Sequence, residues 1–364
     1  SGSVWGWGYN EQGEVGDGTY NDNGLPFQTK MKHAVHIASR GYHSLAVGFD
    51  GSLFAWGDNT NGELGVGTNQ SSNIPLKILT LSHIVQCAAG DTTSYAIRSD
   101  GSVFAWGDNT FGQLGDGTRT NRIAPVGVNG ITNVVQVAAG KWHTLALKSD
   151  GTVWAWGDNA MGQLGDPSLA PRNLPAQVAG LSGITQILVQ STSSFALKSD
   201  GTVWAWGYNS GGQLGDGTTT DRHVPTQVAG LSNVTQIATS GGHCLALKAD
   251  KSVWAWGANS SGQLGDGTQT SRLQPIKIPN LTNVVQVGAG GNNSFVLKAD
   301  GTVWSWGSRG PLLGMVITSD NLLTPTQIPN FTSVKQLSCG NNSVVVIKQD
   351  GTVWAWGDAL NYTP

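Results

Sequence analysis

Charge is scarce in this chain. Only 12% of its 364 residues are Asp, Glu, Lys or Arg, about half the usual share, and the net charge is −3. Lys and Arg form no run, which speaks against a nucleic-acid-binding arm or a polybasic membrane patch. Long hydrophobic runs are missing too. With no stretch of 18 apolar residues, no membrane insertion is expected, and no signal-like segment follows Ser1. The chain reads as soluble as given, although a signal peptide removed ahead of Ser1 would leave the same sequence. Cysteine is limited to Cys87, Cys244 and Cys339, each inside an apolar run. An odd number in such positions reads as buried free thiols rather than a disulfide framework, and the redox compartment stays open.

Glycine, by contrast, is abundant at 52 residues, and it falls at fixed positions, as turn glycines do. The pair Trp-Gly occurs at Trp7, Trp56, Trp106, Trp156, Trp206, Trp256, Trp306 and Trp356, a spacing of 49 once and 50 thereafter. Four apolar segments recur around it. In one copy they are Val134 to Ala139 (A), Thr144 to Lys148 (B), Thr152 to Trp156 (C) and Ala176 to Val178 (D). The pair Asp150-Gly151 between B and C predicts a two-residue hairpin turn of type I′. Four short strands per fifty residues with no helical period predict a propeller blade.

In strand C, Val153 and Ala155 project from one face and Trp154 and Trp156 from the other, so both faces must be covered. Fourteen of the fifteen tryptophans occupy this strand and are expected in the core. Segment A appears seven times, starting near Ala34, Ile84, Val134, Ile184, Val234, Val284 and Val334. The predicted fold is an all-β, seven-bladed β-propeller with four antiparallel strands per blade. It forms one domain over 1–364, closed by pairing of the N- and C-terminal segments. Strand C appears eight times, however, because Val4–Trp7 and Val353–Trp356 both fit. Loop-closure entropy favours the C-terminal copy by about 2 kcal/mol, which would leave Ser1–Asn10 displaced and its deletion cheap.

The segments Asp200 to Gly207 (Asp-Gly-x-Val-x-x-Trp-Gly), Asn209 to Gly215 (Asn-x-x-Gly-Gln-Leu-Gly) and Gly140 to Leu147 (Gly-x-x-His-x-Leu-Ala-Leu) resemble the repeat of the regulator of chromosome condensation family. The resemblance covers essentially the whole chain and implies the seven-bladed fold. For function it implies several unrelated jobs. The family includes exchange factors for the small GTPase Ran, which also touch nucleosomes, and a secreted bacterial inhibitor of β-lactamases. Known exchangers of the family carry an inserted wedge, for which a near-constant fifty-residue repeat leaves no room. Exchange on a Ran-like GTPase is therefore the alternative reading, and a catalytic propeller a weaker one.

A protein-binding propeller is the leading expectation. The B–C turns are monotonous, whereas the A–B loops differ in every blade and the C–D loops differ in their first residues. Both variable sets emerge on one face of an antiparallel blade, so that face is the predicted docking surface. Its candidate partner-binding residues are Trp142, the lone tryptophan outside strand C, with Tyr42, Phe111, Met161, Lys141 and Arg309. A protein partner, no nucleic acid and a monomer are expected, and an extracellular or bacterial cell-surface setting is slightly favoured.

Catalytic residues, cofactors and metals are predicted to be none. His43, His143 and His243 alternate with Thr93, Ser193, Asn293 and Ser343 at one repeat position, which suggests a hydrogen-bonding role. Alternate blades are too far apart for a shared zinc. Arg122, Arg172, Arg222 and Arg272 each follow an Asp by six residues, as structural ion pairs would. Gln86, Gln136, Gln186, Gln236, Gln286 and Gln336, with His36 in the remaining blade, are expected to hydrogen-bond around the channel.

Overall fold

The computed structural model describes residues 2–317 and 320–357. One blade shows how the repeat folds. Val134–Ala139, His143–Lys148, Val153–Gly157 and Arg172–Gln177 pair in that order as an antiparallel sheet. Strand A carries a bulge: Val134 opposes Lys148 and Gln136 opposes Leu147, so Val135 is turned out of the ladder. Six four-stranded sheets of this kind lie between Ala34 and Gln327. The chain ends add a two-stranded sheet, Trp5–Gly8 with Asn23–Gln28, and a three-stranded one, Val334–Cys339, Ser343–Lys348 and Val353–Gly357. Among the described residues the one helical element is the 3-10 turn Pro311–Leu313. The fold is an all-β, seven-bladed propeller. Contacts group the chain into two compact units, Ser1–Ser194 with His223–Pro225, and Phe195–Arg222 with Thr226–Pro364.

The B–C hairpin differs from the predicted type I′ turn, which needs two residues with positive φ. Gly151 has φ +77°, but Asp150 does not share it. Gly151 N–H donates to Lys148 O at 2.9 Å, and Lys148 N–H donates to Thr152 O at 3.0 Å. This is the three-residue pattern with a glycine bulge. Asp150 Oδ1 accepts the Thr152 amide at 3.0 Å and its hydroxyl at 2.6 Å, which locks the aspartate in place. Lys251 takes the glycine position of one hairpin at φ +66°.

In the five blades from Trp106 to Trp306, strand C buries its second tryptophan completely. In the first unit Trp156 joins Tyr95, Ile97, Val103, Leu114 and Val137 in one cluster, so a blade's face is covered by the next blade's A strand and inner tryptophan. The outer tryptophans depart from the expected core role. Trp154 is half-buried, with Lys148 Nζ 5.5 Å from its ring centroid, and Lys248 and Lys298 cover Trp254 and Trp304 in the second unit at 5.3 and 5.0 Å. Alternation along a strand says which face a side chain takes, not how far the neighbouring sheet reaches.

Within each unit, the C–D loop of one blade is tied to the next through backbone carbonyls. Trp156 Nε1–H donates to Gln113 O at 2.7 Å, and the same oxygen accepts Tyr95 Oη–H at 2.7 Å and Thr144 Oγ1–H at 3.0 Å. The loop that presents this carbonyl is organised by Asn109, fully buried, whose Oδ1 accepts Leu114 N–H at 3.0 Å. Its Nδ2 donates to Thr120 O at 3.1 Å. Gly115 must be glycine: its φ is +69°, and a Cβ there would lie 2.9 Å from Trp156 Nε1. Trp56, Trp106, Trp256 and Trp306 repeat the bond to Glu14, Glu63, Gln213 and Gln263 at 2.7–2.9 Å.

Three of the six expected strand-A glutamines zip adjacent A strands together. Gln136 Nε2–H donates to Ile187 O at 2.9 Å while its Oε1 accepts Ile187 N–H at 3.1 Å. Gln236 and Gln286 do the same to Val287 and Leu337. His43, His143 and His243 are buried, and Nε2 of each lies 2.9–3.0 Å from the hydroxyl of Ser94, Ser194 or Ser294 in the next blade. Each serine gives its proton to a C–D carbonyl, of Glu63, Gln163 or Gln263. The network therefore assigns the hydrogen to Nε2 and leaves Nδ1 bare, buried and without a partner. Burial pushes the three pKa values down from 6.5, to about 4 for His43, about 3 for His143 and about 4 for His243, with the Arg40 guanidinium adding to the effect at His143.

The end strands each keep a partner close in sequence. Val353–Gly357 pairs with Ser343–Lys348, so the C-terminal copy does take a C position, although 358–364 lie outside the described residues. The expected displacement of the N-terminal copy is not what the structure shows. Trp5 and Gly6 pair with Gln28 and Phe27, and Val4 is buried with Met31, Ala46 and Trp56. Asn10, fully buried, accepts Val15 N–H at 2.9 Å and donates to Asn21 O at 2.9 Å. A loop-closure cost of about 2 kcal/mol is matched by burying one valine, worth about 1.5–3 kcal/mol, before the asparagine bonds are counted.

Three outcomes test this account. Deleting residues 1–10 should lower stability by at least about 3 kcal/mol in thermal unfolding, and an unchanged melt would show that the N-terminal ladder contributes nothing. Lys251→Gly relieves the left-handed backbone and should raise stability by about 1 kcal/mol, whereas a loss would mean the lysine side chain outweighs it. Acid lability follows from the histidines. Unfolded imidazoles take up protons below pH 6.5 while the folded ones resist, so stability is flat above that pH and falls steadily down to about pH 4. The slope of the urea midpoints across that window should lessen in His143→Asn, which removes one of the three imidazoles and for which Asn293 holds the same position in another blade, and an unaltered slope would contradict the assignment.

Candidate functional site

The predicted docking surface is built by loops that the blade core holds from below. In the first unit the C–D loops begin against the A–B loops, as the bond from Asp158 N–H to Trp142 O at 2.8 Å records. The variable loops therefore do share a side. Phe111, from one blade's C–D loop, packs on Trp142, from the next blade's A–B loop, with ring centroids 5.8 Å apart and planes tilted by 50°. Lys141 Nζ sits 4.5 Å from the Trp142 ring centroid. Both rings are partly buried and Lys141 is exposed, so Trp142 both packs on a neighbouring loop and shows surface.

Tyr42, 57% exposed, stands 6.0 Å from Tyr9 rather than in that cluster, and Tyr9 donates its hydroxyl to Glu11 at 2.6 Å. Met161 is exposed in the following C–D loop. Arg309 belongs to the second unit, where it lines a cleft of about 430 Å³ with Pro311, Met315, Val316, Ile317 and Trp356. Of the six candidates, then, the structure brings together Phe111, Lys141 and Trp142.

Sequence reasoning missed Tyr9 and Arg40. Tyr9 takes the position after Trp-Gly where Asp108 and Asp158 anchor Gln113 and Gln163, and that departure was its signal. Arg40 ends a strand A and reaches two further blades: Nε donates to Asp91 Oδ1 at 2.6 Å and Nη1 to Ala139 O at 3.0 Å. No composition signal marks it, since the partners lie 51 and 99 residues away.

The recurring arginines are structural. Arg122 pairs with Asp116 and Arg272 with Asp266 at 2.6 Å, and Arg172 and Arg222 pair with Asp166 and Asp216. The thiols are free, with Cys87 and Cys244 buried and Cys339 partly so. Burial pushes Cys87 up to about 12, Cys244 well above its usual value, and Cys339 up as well. His36 Nδ1 lies 3.3 Å from Cys87 Sγ, but burial also lowers the His36 pKa, so the pair stays neutral and is no activated nucleophile. Among the described residues no group of three His, Cys, Asp or Glu could hold a metal ion, and no helix is long and apolar enough to cross a membrane.

Comparison with known proteins follows the same lines. No curated protein matches the chain. Among solved structures, human WBSCR16 superposes with a TM-score of 0.78 at 23% identity, covering 95% of this chain and 100% of that one. Yeast RCC1 (Prp20), bound to Kap60, gives 0.75 at 25% identity over 98% and 88%. Prp20p from Saccharomyces cerevisiae, described with its binding properties to Gsp1p and histones, gives 0.73 at 25% identity over 98% and 91%. The family model of the RCC1-like domain matches residues 1–241, and the regulator of chromosome condensation (RCC1) repeat matches 250–297 and 300–347. The repeated Trp-to-carbonyl tie and a family match over more than half its length make this chain a member of the RCC1-like family.

Proposed function

We propose that this chain is a protein-binding propeller, acting as a monomer and not as an enzyme, whose A–B and C–D loops dock a macromolecular partner. The observation that carries this reading is the Phe111–Trp142–Lys141 cluster, two aromatic rings in tilted contact and an ammonium gathered from two blades onto one partly exposed loop surface. A loop serving only to turn the chain needs none of these groups; the next A–B loop is Ser191-Thr192-Ser193. A Trp held by a neighbouring ring offers a large contact area at little entropic cost, and Lys141 favours an acidic group on the partner. The Tyr9–Tyr42 pair and Met161 supply further apolar area in loops of the same unit.

Proteins of this fold that bind proteins, Prp20 with Kap60 and Prp20p with Gsp1p and histones, support the class of partner and name none for this chain. A GTPase-exchange role has less behind it, because the repeat spacing leaves no long insertion. Trp142→Ala should weaken partner binding by about 1–4 kcal/mol with the melting temperature nearly unchanged, and Phe111→Ala should follow it. Affinity capture with quantitative mass spectrometry, wild type against Trp142→Ala, identifies the partner by its depletion. A collapse in melting temperature, or capture indifferent to the substitution, would sink the proposal.

A further inference from the structure

Arg98 is a guanidinium whose hydrogen-bonding edge is unused. Its position at the end of strand B is held by Lys148, Lys198, Lys248, Lys298 and Lys348 in other blades, where Lys148 and Lys198 pair with the hairpin aspartates Asp150 and Asp200 at 3.6 and 3.2 Å. Arg98 lies over Phe104, 4.5 Å from the ring centroid, as Lys248 and Lys298 lie over their tryptophans, but it makes no ion pair with its hairpin aspartate, so its face is occupied and its edge is free. No side-chain hydrogen bond or ion pair is made by that edge among the described residues, and Nε is buried without a partner. Asp100, the corresponding hairpin aspartate, gives Oδ1 to the Ser102 amide and hydroxyl at 2.9 and 2.6 Å.

Three of the six strand-A glutamines form clamps, and Gln86 is not among them. Gln136, Gln236 and Gln286 clamp the next A strand through both amide atoms, whereas the Gln86 amide forms no such pair. Arg98 and Gln86 line one cleft of about 370 Å³ between their blade and the next, beside Asp100, Asn133, Val85 and Val135. The two valines are 52% and 50% exposed and form an apolar lip.

We propose that this cleft binds a monocarboxylate with a short apolar stem. The carboxylate meets the edge of Arg98 and the amide of Gln86, and the stem lies against Val85 and Val135. A guanidinium fork matches a planar carboxylate in two parallel bonds. Asp100 at the rim repels a dianion more than a monoanion, which disfavours phosphate. The volume suits a small molecule or the last residue of a peptide.

The test follows the side-chain amide resonances of Gln86 and the Arg98 Nε–H in labelled protein at constant ionic strength. The probes are acetate, butyrate, inorganic phosphate, and acetyl-Ala-Ala-Val with a free terminal carboxylate. Saturable shifts are expected, with butyrate at least about threefold tighter than acetate, since each buried methylene is worth roughly 0.8 kcal/mol. A tripeptide tighter than butyrate identifies a chain end as the ligand, and the reverse a free acid. Arg98→Lys installs the side chain of the other blades, so it should fold, and should weaken binding about tenfold as read at Gln86. Gln86→Leu should weaken it about threefold as read at Arg98. Shifts that match those from chloride, persist unchanged in both variants, or are as strong with phosphate would overturn the proposal.

Discussion

The bond from a buried indole N–H to a backbone carbonyl of the preceding blade is the constraint on which the rest of this structure depends. A tryptophan large enough to cover a blade face brings a donor that cannot be left unmet in a dry interface, where an orphaned group costs about 1–3 kcal/mol. Meeting it requires a carbonyl aimed outward from its own sheet, and only a loop can aim one. The Asn-x-x-Gly-Gln-Leu-Gly segment exists to do so. Asn109 holds the loop closed, Gly115 leaves room for the indole, and Gln113 supplies the oxygen. The same oxygen then serves Tyr95 and Thr144, so one carbonyl fixes the seam between two blades.

Because the acceptor is main chain, the side chains around it are free to change. In the sixth blade the loop keeps only the closing Leu313-Gly314 of that sequence and forms a 3-10 turn over Pro311–Leu313, yet Leu312 O still accepts Trp356 Nε1–H at 2.9 Å. Glu63 replaces glutamine in another blade with the bond intact at 2.7 Å. The first residues of these loops, Phe111 and Met161 among them, lie beyond the tie and carry no part of it. This is the physical reason that a monotonous scaffold can carry a different surface in every blade, and it is why the loop tips, not the strands, bear the proposed contacts.

What the sequence made legible was whatever the repeat states several times over. The strands, the inner tryptophans, the Arg–Asp pairs and the glutamine clamps all follow from periodic residues whose chemistry has one economical use. Features that depend on how far a neighbour extends were not legible. Alternation put Trp154 and Trp156 on one face but could not show that one is sealed and the other half-covered by Lys148. The Asp-Gly pair suggested two positive φ angles, because the aspartate's grip on Thr152 is a tertiary choice between two turns that share a sequence. The N-terminal strand was misjudged because chain entropy was weighed without the buried Val4 and Asn10. Within the candidate site, the aromatic types in the loops were visible, but the meeting of Phe111 with Trp142 was not, since it joins two blades.

Departures from the repeat carry the remaining information, and their meaning depends on whether the lost bond is replaced. At Asn293 the histidine is exchanged for an amide that donates to Ser308 O at 2.6 Å, so that exchange keeps a bond and is structural drift. Arg98 and Gln86 differ in kind. Each keeps its residue class, a cation and an amide, but Arg98 makes no ion pair of the kind Lys148 and Lys198 make, Gln86 makes no clamp of the kind Gln136 makes, and both lie on the same cleft. A single idle group is tolerated readily where solvent can reach it. Two on one cleft, one of them with a buried donor, leave a polar deficit that the surrounding blades do not fill, and a ligand that supplies two acceptor oxygens is the simplest chemistry that fills it.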